Sequence, residues 1–200
     1  MLIASLSVHE AAHAWAADRL GDPTARLLGR LSLNPVVHVD PIGTLLFPLI
    51  AMLTRVPLIG WAKPVPVDTR HLRHPKRDFA LIAAAGPASN LIMAAIGAVI
   101  FALLPHAAPG DIAGRAVISP LFNLVVEFVQ LNVLLAVFNM IPVPPLDGGN
   151  VLGGLLPYRL AVEYDRLRPW GFLILYALML SGALGRIVGP VTGVIISWML

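Results

Sequence analysis

Residues 79–105 read FALIAAAGPASNLIMAAIGAVIFALLP and contain no charged side chain. A helix needs about 20 mostly apolar residues to cross the hydrocarbon core of a bilayer, so this run predicts a transmembrane helix. We therefore expect an all-α membrane protein, a polytopic bundle of about five to six transmembrane helices. The other apolar runs that support this expectation lie at 1–20, 41–61, 117–141, 170–185 and 187–200.

The composition of the whole chain agrees with a membrane protein. Hydrophobic residues make up 58% of the 200 residues and charged residues 12%, and the mean hydropathy is +0.81. A soluble domain usually carries about 25% charged residues, so the composition excludes soluble globular, disordered and nucleic-acid-binding classes. The chain has no cysteine. A metal ion would therefore take nitrogen and oxygen ligands.

The basic residues predict how the chain is oriented in the bilayer. The positive-inside rule places clusters of Lys and Arg in the cytoplasm. If the run 41–61 crossed the membrane completely, the first two basic clusters would face opposite sides. A re-entrant segment, broken at Pro48 and Pro57, keeps both inside and is the interpretation we favour, with a full span as the alternative. The basic clusters lie at 19–30, 63–77 and 159–168.

The stretch Gly-Trp-Ala-Lys-Pro-Val-Pro-Val at 60–67 is typical of extended chain. Prolines two residues apart point to the same side of a strand, so one edge lacks two donors. The amides of Val65 and Val67 then face the other edge, which predicts an edge strand that is blocked on one side only. An irregular proline-rich loop is the alternative. The re-entrant or extended region thus covers about 41–67.

The sequence His9-Glu10-Ala11-Ala12-His13 is an H-E-x-x-H motif. Residues four apart share one face of a helix, so the two imidazoles can hold a single zinc ion. The glutamate between them can act as general base on a zinc-bound water. A short interfacial helix with its polar face in water is the alternative, but ionisable groups inside an apolar helix are costly and usually functional.

A third metal ligand is expected far along the chain, in Asn-Met-Ile-Pro-Val-Pro-Pro-Leu-Asp-Gly-Gly at 139–149. The prolines cannot continue an ordinary helix, and the glycines permit a sharp change of path. Irregular backbone at membrane depth is tolerated where it is buried or lines a wet cavity. Asp147 is therefore the candidate ligand, with a helix N-cap at the membrane surface as the alternative role.

Three polar or small residues interrupt the long apolar runs. Gly86 is expected to let helices approach closely. Asn90 is a buried amide that must find partners, and it is a candidate to line the site or to orient a metal ligand. Glu127 is expected at the interfacial start of its helix, with a position inside the membrane as the alternative.

HEAAH at 9–13, GPASN at 86–90 and NMIPVPPLDGG at 139–149, in this order, resemble the site-2 protease family of intramembrane zinc metalloproteases (M50-type). The stretches at 29–44 and 60–67 are similar to the compact prokaryotic branch without a PDZ domain. The resemblance covers about residues 1–157. We expect a single membrane-embedded metalloprotease domain over 1–200, with C-terminal helices at about 169–200.

The resemblance implies specific roles for five residues. His9, His13 and Asp147 would bind one Zn²⁺ ion, and Glu10 would be the catalytic base. Asn139 would bind substrate or steady the oxyanion. Fewer apolar residues precede His9 than in the family's first catalytic helix, which leaves the length of this span open.

The expected function is hydrolysis of peptide bonds in or near transmembrane segments of membrane protein substrates. The substrate helix must unwind before cleavage, and the 62–67 edge with Val65 and Val67 is expected to pair with it. We expect a multi-pass protein of a prokaryotic plasma membrane that binds no nucleic acid. The alternatives are a membrane transporter for metal ions or protons and a catalytically inactive membrane-embedded binding protein. The sequence does not fix the oligomeric state.

Overall fold

A computed structural model describes residues 1–54, 60–104 and 112–200. Within these ranges every regular element is helical, which confirms the all-α prediction. The α-helices are α1 (Leu2–Leu20), α2 (Thr24–Leu27), α3 (Phe47–Thr54), α4 (Pro75–Leu103), α5 (Ile112–Asn139), α6 (Asp147–Leu155), α7 (Tyr158–Asp165), α8 (Gly171–Leu180) and α9 (Ala183–Met199).

Two of the described helices are long and apolar enough to cross a membrane. They are α4 and the part of α5 from Ile118 to Asn139. The helical stretch Tyr158–Leu180 and the helix α9 pass the same test together, but a bend of 78° separates them. The chain is thus a polytopic membrane protein, and the number of five to six spans stays a prediction. Glu127 lies well inside α5, so the expectation that it begins its helix is wrong.

The chain divides into two compact units, at 1–86 and 87–200. In the first unit, α1 ends at Gly21, whose left-handed conformation (φ 109°) closes the helix as glycine readily can. A small core joins α1 to the start of α4 through Ala16, Ala17, Leu72 and Ile82. The small alanine side chains keep the polar face of α1 close to α4.

The region at 41–67 begins with a tightly capped turn. Asp40 accepts hydrogen bonds from the amides of Ile42 (2.9 Å) and Gly43 (2.7 Å), and it starts the π-helical segment Pro41–Leu46 that leads into α3. Pro57 lies outside the described residues, so the choice between a re-entrant segment and a full span stays open. Residues 60–68 form no strand, and the irregular loop is what the structure shows there.

The second unit is organised around α5 and α9. Val129 and Val133 of α5 are fully buried with Ala94 of α4, and Ile195 and Ile196 of α9 pack on them. Pro87, Pro120 and Pro190 lie inside the long helices. Membrane helices tolerate such prolines because neighbouring groups satisfy the released backbone carbonyls. The single domain that the sequence predicts over 1–200 stays a prediction.

Candidate metal centre

His9 and His13 occupy one buried face of α1. Their exposed fractions are 3% and 8%. The two Nε2 atoms lie 3.1 Å apart, and the rings meet edge to face with their centroids 4.7 Å apart. The H-E-x-x-H motif thus forms on a helix, with both ring nitrogens aimed at the same point.

A contact with a backbone carbonyl fixes the tautomer of His13. Its Nδ1 lies 2.7 Å from the carbonyl oxygen of Ile82. A carbonyl can only accept, so Nδ1 carries the proton and donates it, and Nε2 is the ring nitrogen whose lone pair can bind a metal ion. Metal-binding histidines are typically held in this way, by a bond from the ring nitrogen that does not touch the metal.

Gly86 is the point where α4 touches the histidine pair. A Cβ atom at this position would lie 2.4 Å from Nε2 of His13 and 2.5 Å from Nε2 of His9. Real Cβ atoms essentially never approach other atoms so closely, so only glycine fits here without a shift of the rings. The expected role of Gly86 in close helix approach is therefore what the first unit shows, with the imidazoles as its neighbours.

The imidazole pair fits a tetrahedral zinc site. Zinc–nitrogen bonds are about 2.0–2.1 Å long, so two tetrahedral nitrogen ligands lie roughly 3.3 Å apart. The Nε2 atoms of His9 and His13 are close to that separation at 3.1 Å. Glu10 follows His9 directly on α1 and is half-buried.

Asp147 is the first residue of α6. The chain breaks between α5 and α6 as the proline and glycine pattern predicts. A Cβ on Gly148 would lie 2.2 Å from the carbonyl oxygen of Met140, so the backbone folds tightly onto itself there. Leu146 is the N-cap and makes no side-chain cap, so the alternative role of Asp147 as N-cap is wrong.

His9, His13 and Asp147 each offer one ligand atom to a metal ion. Both histidines are buried and the aspartate is half-buried. Two nitrogens and one oxygen are the donor set of a catalytic zinc site, which keeps its fourth position for water.

Asn139 is half-buried in the last turn of α5. Its Nδ2 donates to the carbonyl oxygen of Leu135 at 2.9 Å, one turn back in the same helix. The amide must release this bond before it can donate to a substrate oxygen.

Asn90 is fully buried and donates from Nδ2 to Oδ1 of Asn132 at 2.9 Å. Asn132 is also fully buried and donates in turn to the carbonyl oxygen of Phe128. The sequence predicted that Asn90 needs partners but did not point to Asn132. The signal was available, because Asn132 is another amide in a long apolar run.

The segment at 61–68 is anchored by residues that the sequence analysis did not single out. The buried guanidinium of Arg30 donates to the carbonyls of Val37, Lys63 and Pro64. The amide of Lys63 donates to the carbonyl of His38 at 2.9 Å. Trp61 is held through its amide by the carbonyl of Gly43 and through its carbonyl by the hydroxyl of Thr44.

The backbone of Val65 and Val67 differs from these anchored neighbours. Both side chains are half-buried, and that of Val67 packs against the core between α1 and α4. In the part of the chain that the structure describes, no hydrogen bond uses the backbone of either valine.

Asp22 anchors the far end of the same segment. Its carboxylate is fully buried and accepts from the amides of Asp68 (2.7 Å) and Thr24 (3.0 Å). Nδ1 of His71 lies 3.1 Å away. Burial alone would raise the pKa of Asp22, but the hydrogen bonds from Thr24, Asp68 and His71 together hold this pKa below its usual value.

A buried H-E-x-x-H helix with a carboxylate as candidate third ligand, in a chain with membrane-spanning helices, defines a zinc metallopeptidase of the membrane. The family model for peptidase family M50 matches residues 1–182. The chain therefore belongs to peptidase family M50, and the site-2 protease resemblance is confirmed.

Curated relatives agree with this assignment. The chain is 37% identical over 182 residues to YwhC of Bacillus subtilis, covering 90% of this chain and 78% of the relative. It is 34% identical over 186 residues to Rip2 of Mycolicibacterium smegmatis, covering 91% of this chain and 66% of the relative. Both relatives are provisionally named as zinc metalloproteases.

A further relative is Rip2 of Mycobacterium tuberculosis, which has the same provisional name. It is 32% identical over 153 residues, which cover 73% of this chain and 52% of the relative. The chain thus spans about two thirds and about half of the length of the two mycobacterial proteins. No solved structure matches the chain significantly.

Proposed function

We propose that His9, His13 and Asp147 bind the zinc ion of this membrane metallopeptidase and that Glu10 is its catalytic base. The observation that carries the proposal is the pair of buried imidazoles on α1, whose Nε2 atoms lie 3.1 Å apart, close to the spacing of two nitrogen ligands on one zinc ion. The bond from Nδ1 of His13 to Ile82 supports it, because it assigns the ring proton to Nδ1 and makes Nε2 the nitrogen that can bind a metal ion.

The proposed chemistry is hydrolysis of a peptide bond. A bound zinc ion would polarise the scissile carbonyl and lower the pKa of the attacking water toward about 7. The Glu10 carboxylate takes the proton from that water and later passes it to the leaving amine. Such acid–base catalysis contributes about 10²–10⁴-fold to the rate in other enzymes.

Asn139 serves as the proposed donor to the developing oxyanion. Its Nδ2 already forms a hydrogen bond, to the carbonyl of Leu135 in its own helix. Substrate binding therefore exchanges one acceptor for another. A neutral amide adds no charge to the site, and an oxyanion contact of this kind is worth roughly 3 kcal/mol in other enzymes.

The proposed substrates are membrane proteins with a transmembrane helix, and the proposed location is a prokaryotic plasma membrane. A helix has no free backbone groups, so the substrate must unwind near the scissile bond. The backbone of Val65 and Val67 would then pair with the unwound segment. The unused hydrogen-bonding groups of these two residues in the described part of the chain support this step.

Asn90 has a supporting role in the proposed site. Its bond to Asn132 fixes a buried amide pair in the second unit. The proposed role of Asn90 is to position the surrounding helices or a metal ligand.

The test compares the wild-type protein with Glu10→Gln in lipid vesicles that contain a membrane protein with one transmembrane helix. We expect one bound zinc ion per chain in both proteins and cleavage at least about 100-fold slower in the variant. Glu163→Gln is the matched control, because Glu163 is exposed on α7 and pairs with Arg166. Equal cleavage by Glu10→Gln and wild type would defeat the role of Glu10.

A further inference from the structure

The helix α5 carries three polar side chains that are exposed although the helix crosses the membrane. They are Asn123, Glu127 and Gln130, here called the polar stripe. The membrane-spanning part of α5 runs from Ile118 to Asn139, so all three lie inside it. The peptidase site does not explain them.

The polar stripe lies on one face of α5. Its residues are spaced by four and by three, and successive helical residues turn by about 100°. The buried valines of α5 lie on another face, whose centre is roughly 130° away. They are Val125, Val129 and Val133. Because these valines pack toward α4 and α9, the polar stripe points away from the core of its own unit.

The stripe also lies deep in the bilayer. Glu127 is about 14 Å from the start of the span at Ile118 and about 18 Å from its end at Asn139, at 1.5 Å per residue. A hydrocarbon core is about 30 Å thick, so Glu127 lies near its middle. In the described part of the chain, no hydrogen bond or ion pair reaches any of the three side chains. Such groups facing lipid are costly and call for a partner.

We propose that the polar stripe is the surface through which two copies of this chain associate in the membrane. Copies inserted with the same orientation are related by a two-fold axis along the membrane normal. Their α5 helices then run parallel, so each stripe faces its own copy. Hydrogen bonds between such polar side chains hold membrane helices together.

Hydrogen-bonding complementarity favours a second copy as the occupant. The side-chain amides of Asn123 and Gln130 each carry donors and an acceptor, and the carboxyl of Glu127 accepts. In a parallel pair, each Glu127 has the amides of the opposite helix one turn above and one turn below. The stripe therefore satisfies itself without a foreign sequence.

The association leaves the peptidase site accessible. Gln130 and Asn139 are nine residues apart, which places them on opposite faces of α5 at about 100° per residue. A substrate that contacts Asn139 therefore does not compete with a second copy at the stripe. The proposal does not depend on the roles proposed for the metal-binding residues.

The absence of cysteine makes the first test direct. Single-cysteine variants Asn123→Cys and Gln130→Cys are cross-linked in lipid vesicles, with Leu121→Cys as the matched control. Leu121 is also exposed on α5, roughly 150° from the stripe. We expect at least about fivefold more covalent dimer at positions 123 and 130 than at 121. Equal yields, or no dimer at the stripe positions, would overturn the proposal.

The second test measures dissociation of labelled full-length protein in vesicles by energy transfer at increasing lipid content. We expect Glu127→Leu to weaken self-association on the order of tenfold, while Glu163→Leu on α7 leaves it unchanged. Zinc content and cleavage rate are the checks that the variants are folded. Unchanged association of Glu127→Leu, or a wild-type protein that is monomeric in vesicles and cross-links only to another protein in native membranes, would overturn the proposal.

Discussion

Gly86 shows at the scale of single residues how a backbone position controls a metal site. The residue has no side chain to bind anything, and its contribution is the space that it leaves for the two imidazoles. Because Nε2 of both His9 and His13 would lie within 2.5 Å of a Cβ atom, any larger residue pushes the rings away from their shared point. The site depends on this position as much as on a ligand.

We predict that Gly86→Ala lowers zinc affinity at least about tenfold, because displaced imidazoles no longer share one ion. The measurement is competition with a zinc chelator, read as zinc bound per chain. Gly189→Ala in α9 is the control, since a Cβ there meets nothing within 4 Å. Wild-type zinc affinity in Gly86→Ala would show that the rings have room to move.

The sequence predicts the candidate site best where the proposed chemistry depends on particular side chains. His9, Glu10 and His13 are recognisable because few sequences place these groups on one helix face. Ile82 is not recognisable as a neighbour of the site, because a backbone carbonyl leaves no mark in the side-chain pattern. Gly86 was expected to allow close helix approach, but the sequence did not show that His9 and His13 are what it contacts. The partner of Asn90 could not be chosen either, since pairing across helices depends on how they cross.

Arg30 organises the irregular segments of the first unit at the scale of elements. Its side chain is 6% exposed and bonds only to carbonyls, from Val37 on one side to Lys63 and Pro64 on the other. In the described part of the chain, no carboxylate pairs with it. The planar fork of donors can hold several carbonyls at once, which a lysine ammonium does less well.

We predict that Arg30→Met lowers the free energy of unfolding by about 2–4 kcal/mol, because buried carbonyls lose charged donors. Arg30→Lys should fall between this variant and the wild type. Thermal unfolding in detergent micelles is the measurement. Arg26→Met is the control, since Arg26 is exposed, pairs with Asp18 and should change stability by less than about 1 kcal/mol. Equal losses at both positions would contradict the role of Arg30 as an anchor.

The sequence predicted an extended or irregular segment at 60–67, but it did not predict the hydrogen bonds that anchor this segment. The spacing of the prolines indicates which backbone positions have no N–H group, and this inference uses only neighbouring residues. The anchors Arg30, Asp22 and Thr44 come from distant parts of the chain. Their contacts arise only when the loops fold back, so no local pattern reveals them.

At the scale of the whole molecule, the amino-acid composition predicts the class of protein. The apolar runs predict membrane helices, and α4 and α5 confirm two of them. Prolines within α4, α5 and α9 do not end these helices as they would in water. Glu127 lies inside the membrane-spanning part of α5 and not at a helix start, because α5 continues for several turns on both sides of it.

Acid sensitivity of the whole protein is expected to depend in part on Asp22. The pKa of Asp22 is lowered in the folded protein from the usual 3.8, so its charged form stabilises the fold above that pH. This stabilisation is lost as the pH falls through the lowered value.

We predict that Asp22→Asn is less stable than the wild type at pH 7 and that the difference shrinks below about pH 4. The measurement is thermal unfolding of both proteins in zinc-free form, so that acid release of the metal does not contribute. A stability difference that stays constant down to pH 2 would contradict the role of the ionised carboxylate.

The bond from His13 to the carbonyl of Ile82 has an evolutionary consequence. The acceptor belongs to the main chain, so every amino acid at position 82 supplies the same oxygen. Substitutions there can change packing around the histidine without deleting its acceptor. The tautomer that presents Nε2 of His13 to a metal ion therefore depends on the path of the helix backbone, and most point mutations at position 82 leave it unchanged.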